Sequence, residues 1–106
     1  METGLQEGEI RKGIQQGGRV RNVVIASKCV GLHTEHLAYL HASWRRLLLP
    51  LRVWNDSGDR TYRDLDRLLA LIRAEFGFRG IITLYITGDP KLARYKALAR
   101  EQRQPT

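Results

Sequence analysis

The sequence predicts an α/β domain: a small two- or three-layer sandwich of order β-α-(β)-α-β-α on a mostly parallel or mixed sheet of two to three strands. Three observations lead there. Residues 81–87 read Ile-Ile-Thr-Leu-Tyr-Ile-Thr, a run with no charge and no polar alternation, as suits a central strand covered on both faces. Val23-Val24-Ile25-Ala26 is a second continuous apolar run. Apolar residues at helical spacing lie between and after the two, and strands alternating with helical patterns point to an α/β unit.

In order along the chain, residues 1–18 carry glycines at 4, 8, 13, 17 and 18 with Leu5, Ile10 and Ile14 as the large aliphatics after Met1. So many glycines oppose a helix, and so little apolar surface offers small return for ordering, which predicts a flexible arm. The spacing of Ile10 and Ile14 leaves a helix formed at an interface as the alternative. Residues 19–106 then form the single α/β domain. Its first strand is expected over 19–28, followed by a seven-residue loop, 27–33, at the strand end where α/β folds place ligands.

Thr34 has the chemistry of an N-cap, and Leu37, Leu40, Trp44, Leu47 and Leu48 fall on one helical stripe, which predicts a first helix ending before Pro50. Residues 51–54, Leu-Arg-Val-Trp, are a candidate short strand. A second helix is expected from Thr61, with Leu65, Leu68, Leu69, Ile72 and Phe76 as its buried stripe and Gly77 as a left-handed cap. After the strand at 81–87, Asp89 and Pro90 open a third helix whose Lys96, Arg100 and Arg103 share an outer stripe.

Charge narrows the function classes. Eighteen basic against eleven acidic side chains give +7 in 106 residues, and fourteen of the eighteen are arginine. Guanidinium pairs bidentately with phosphate, so nucleic acid or another polyanion is the expected partner; a solvated basic surface is the competing account. The longest apolar runs fall far short of the roughly 20 residues of a membrane span, and no signal-peptide pattern opens the chain. A single cysteine, Cys29, allows no internal disulfide, which fits a reducing, cytoplasmic compartment, and it is read as a buried structural thiol.

Catalytic and metal motifs are weak. His33, His36 and His41 depart from the spacing of a helical metal site, so no metal and no cofactor is expected, and the histidines are read as solvent-facing or capping. Parallel strands would gather Ser27, Lys28, Asn55, Asp56, Asp59, Thr87 and Asp89 at one sheet edge; the aspartates are read first as turn and cap formers, with an acid/base or Mg²⁺ site at Asp56 and Asp89 as the lesser alternative. The preferred reading is a non-enzymatic accessory protein that binds nucleic acid through Lys96, Arg100 and Arg103, helped by Arg19 and Arg21. The alternatives are a small enzyme, a metal-independent ribonuclease or phosphate-ligand hydrolase using Ser27, Lys28, Asp56 and Asp89, and a structural homo-oligomer. Open sheet edges predict a homodimer.

Overall fold

The computed structural model describes residues 4–52 and 61–87. The chain runs β1 (Leu5–Gln6), α1 (Glu7–Gln15), β2 (Val20–Val30), β3 (His33–Ala42), β4 (Leu49–Arg52), β5 (Thr61–Tyr62), α2 (Leu65–Ala70) and β6 (Ile82–Ile86). The strands form one mixed six-stranded sheet in the order β1-β4-β3-β2-β6, with β5 beside β3. The predicted sandwich on two or three strands is therefore overturned: this is mostly sheet, with two short helices.

The largest correction falls on residues 34–49, where a helix is expected and β3 stands. Leu37 and Leu40 satisfy a helical stripe, but His36, Ala38, Leu40 and Ala42 satisfy a period of two, and these four are the buried residues of β3. What decides between the patterns is the neighbour. The expected loop at 27–33 is absent: β2 continues to Val30, and the two residues Gly31 and Leu32 turn the chain back so that Val30 faces His33 and every residue to Leu37 has its partner opposite. Gly31 takes φ +63°, at the first central position of the hairpin, where a II′ turn requires glycine. A turn that tight commits the following ten residues to the ladder whatever their helical spacing.

A second correction concerns residues 7–15, expected to lie in a flexible arm. They form α1, which places Ile10 fully buried in the main core. Two of the glycines counted against order have a packing role. A Cβ at Gly13 or Gly18 would overlap the indole of Trp44, so the bare backbone there forms the seat of that ring.

The run at 81–87 is not central. Among the described residues β6 pairs only with β2, in parallel, and stands at the end of the strand order. Its Ile82 reaches the core, while Leu84 is 40% and Ile86 61% exposed. Residues 61–76 hold less helix than expected: Thr61 belongs to β5, and Asp64 is the cap, accepting from the Arg67 amide at 3.2 Å. α2 continues as a π-helical turn over Leu71–Glu75, closed by the Phe76 amide donating to the Leu71 carbonyl at 3.0 Å. The expectation of a third helix falls on Asp89, Lys96, Arg100 and Arg103, which lie outside the described residues, as does Asp56.

One sheet face carries the core. Val23 and Ile25 of β2, Ala38 and Leu40 of β3, and Leu49 and Leu51 of β4 pack against Ile10 of α1 and against Leu68, Ile72 and Phe76. Burying each large aliphatic or aromatic contributes about 1.5–3 kcal/mol, which makes this layer the main source of stability. On the opposite face Val24 and Ala26 pack with Tyr39, Leu48 and Tyr85.

Candidate functional site

The start of β2 sets the geometry of a groove lined by arginines. Val20 and Val23 are both buried in the core, yet three residues apart on a regular strand they would point to opposite faces. The strand resolves this with a bulge: Val20 faces Ala42 and Asn22 already faces His41, so Arg21 is the extra residue. Arg21 is thereby turned out of the ladder, while Arg19 is held by backbone bonds, its amide donating to Ser43 Oγ at 3.0 Å and its carbonyl accepting from the Ser43 amide at 2.8 Å.

The loop entering β6 supplies the other wall. Gly77 takes φ +68° at the end of the π turn and lets Phe78 fold back, with the Phe78 amide donating to the Ile72 carbonyl at 3.1 Å. The Arg73 guanidinium donates to the carbonyls of Phe78, at 3.0 Å, and Gly80, at 2.7 Å, and stands 5.8 Å from the centre of the Phe78 ring. This ties the loop to the helix. Because β2 and β6 run parallel with Val23 beside Ile82, both enter the sheet at the same end, and their approaches enclose a groove of about 510 Å³.

Arg19, Arg21 and Arg79 line this groove, and among the described residues no carboxylate does. Their three guanidinium groups have no acidic partner among the described residues, in contrast with Arg11 and Arg45. A cleft of about 490 Å³ between α1 and α2 is lined by Glu7, Asp64 and Glu75 as well as by arginines. Its acids are engaged: Tyr62 donates to Glu7 at 2.9 Å, and Arg11 bridges Glu7 and Glu75. A shallower groove of about 360 Å³ runs beside Trp44 and Glu9. There Glu9 accepts from Arg45 Nε at 2.8 Å, Arg45 Nη2 at 2.9 Å and Trp44 Nε1 at 2.8 Å. The Arg45 bond, followed by that from Trp44, holds the Glu9 carboxyl below its ordinary pKa against the opposing effect of burial.

Of the residues singled out in the sequence, the structure brings Arg19 and Arg21 together and adds Arg79, which sequence reasoning missed. The available signal is its position in Gly77-Phe78-Arg79-Gly80, an arginine in a glycine-bounded approach to a strand. The opposite sheet end, where ligands were expected, holds Ser27 and Lys28 beside Thr87, whose amide donates to the Ser27 carbonyl at 2.7 Å. Ser27 is 1% exposed, its hydroxyl 2.6 Å from His36 Nδ1, so it is a packed polar pair of the core face. Lys28 is exposed and pairs across the ladder with Glu35.

Cys29 is exposed, against the expectation of a buried thiol, because it lies on the last turn-proximal residues of β2 beyond the helices' reach. The histidines also differ from the helix-start reading. His36 is buried on the core face, His33 lies 3.1 Å from Glu35, and His41 lies 3.1 Å from the Arg45 carbonyl. Among the described residues no three metal-ligating side chains converge. Comparison of the chain with protein-family models, with curated proteins and with solved structures gives no match.

Proposed function

We propose that this protein is a non-enzymatic accessory protein that binds nucleic acid through its phosphate backbone, with Arg19, Arg21 and Arg79 as the contact. The observation that supports it is a groove lined by three arginines that, among the described residues, lack acidic partners and share their lining with no carboxylate. In the cleft between α1 and α2 and in the groove beside Trp44, Glu7, Asp64, Glu75 and Glu9 share the lining, so an added anion gains less there. Phosphate meeting three guanidinium groups releases condensed counterions, and the binding free energy is largely that release.

The test is fluorescence anisotropy on a mixed-sequence DNA duplex at several salt concentrations. Replacing Arg19, Arg21 and Arg79 together by Gln is expected to weaken binding roughly tenfold or more at low salt. All three are exposed, so each change should alter folding stability by no more than about 0.5 kcal/mol. Unchanged affinity in the triple variant would reject the groove as the interface. The same reading includes a homodimer formed through the open side of β6, supported by the exposed Leu84 and Ile86 on that strand. Among the described residues no helix is long and apolar enough to cross a membrane.

A further inference from the structure

Resting on that reading, we infer that the groove takes an intact double helix in preference to a single strand, holding it by its phosphates. Three features of the groove lead there. The first is what it does not offer. Single-stranded nucleic acid is held by stacking of splayed bases on exposed aromatic rings, worth about 1–3 kcal/mol per base. The two rings in this wall, Phe76 and Phe78, are 3% and 8% exposed and belong to the hydrophobic core, so neither has a free face.

The second feature is that the described lining holds no side-chain amide to read an adenine edge and no carboxylate to read a cytosine edge. Asn22, the nearest amide in sequence, turns its Oδ1 back to accept from the Val23 amide at 3.1 Å. What remains at the surface is cationic.

The third feature is rigidity. Arg21 leaves the sheet from a bulge that the burial of both Val20 and Val23 requires, and Arg19 is tied to Ser43 on both its amide and its carbonyl. Arg79 sits between two carbonyls held by one guanidinium, Arg73, whose loop is further constrained because a Cβ at Gly80 would come within 2.8 Å of Phe78. Three cations on fixed backbone suit a ligand whose phosphates are already fixed. A duplex presents such an array without ordering cost, and its charge density is the higher; a single strand must be ordered first and receives no stacking in return. Arg73 acts here as a positioning residue, holding the Arg79 backbone.

The experiment compares a 20-base-pair duplex with single-stranded oligothymidine and oligoadenine of equal length, for the intact chain, for Arg19→Gln/Arg21→Gln/Arg79→Gln and for Arg73→Lys. For three phosphates neutralised, the log–log salt slope should differ between the intact chain and the triple variant by about 2.7 on the duplex and about 2.1 on single strands. The duplex should bind roughly threefold or more tightly than either strand, and the two strands should bind alike. Arg73→Lys, which keeps the charge but ends one bond short of the Nη1 that donates to both carbonyls, should weaken duplex binding while leaving single-strand binding nearly unchanged. Single strands binding as tightly as the duplex, or ranking by base, would overturn this inference and leave the arginine groove standing. Absence of binding to all three ligands at low salt would overturn the proposed function itself.

Discussion

Glu9 shows how much one side chain settles here. It sits on α1, yet three of its hydrogen bonds reach across to Trp44 and Arg45 in the turn after β3, more than thirty residues away. A carboxylate that accepts from a guanidinium fork and an indole is favoured in its ionised form, and its pKa is lowered on folding. The contribution to stability is therefore present in full above the ordinary glutamate pKa and is lost as pH falls through the lowered one. Thermal unfolding of the intact chain and of Glu9→Gln checks this: the variant should be less stable near neutral pH, and the gap should narrow as the pH falls below the ordinary glutamate range. A gap that stays constant over that range would show that ionisation of Glu9 has no part in fixing α1. The sequence names Glu9, Trp44 and Arg45 but cannot pair them, because their meeting depends on the turn that follows β3.

At the scale of elements, α1 and β3 both turn on features whose meaning depends on context. The glycines of 4–18 read as a cost in any helix, and Gly8 is that: a Cβ there meets nothing, so Gly8→Ala should stabilise the protein by about 0.5–1 kcal/mol. Gly13 lies in the same helix with the opposite sign. A methyl group at that position collides with the Trp44 ring, and Gly13→Ala should destabilise by about 1–3 kcal/mol despite the gain in helix propensity. Denaturant unfolding of the two variants measures both, and a stabilising Gly13→Ala would mean that Trp44 is not seated on that turn. β3 makes the same point with apolar residues. Leu37, Leu40 and Trp44 carry a helical period and His36, Ala38, Leu40 and Ala42 a strand period in one stretch, and long-range pairing to β2 selects the second.

For the whole molecule, the sheet separates two ends. At the end where β2 and β6 begin, three arginines line one groove; at the end where they finish, Ser27 is buried and Lys28 faces Glu35. The expectation of a ligand at the finishing end rests on parallel strands; β2 and β6 are parallel and bring Ser27 and Lys28 to Thr87, while Asp56 and Asp89 lie outside the described residues. Among the described residues the strand order ends on β6, with Leu84 and Ile86 exposed on one face. An edge of that composition is a template for a second copy, and antiparallel pairing about Leu84 would set Ile82 opposite Ile86 on one face. Light scattering at micromolar concentration should give a mass near twice the 12.2 kDa chain, and Leu84→Lys with Ile86→Lys should return it to the single-chain value. A monomeric intact chain would reject the dimer.

What the sequence by itself determined is local or summed: the β character of residues 20–26 and 82–86, the left-handed glycine at 77, and the arginine excess. Each follows from the residue types alone, through side-chain branching, backbone freedom or charge, without reference to distant neighbours. What only the tertiary structure decided is everything that needs a partner remote in sequence. The eleven-residue β2 made β3 a strand, the Trp44 ring turned Gly13 and Gly18 from breakers into a seat, and parallel pairing of β2 with β6 carried Arg79 to Arg19 and Arg21. The physical reason is that burial and hydrogen bonding across the sheet outweigh local propensities of a few tenths of a kcal/mol per residue, and a one-dimensional pattern does not say which surfaces will meet.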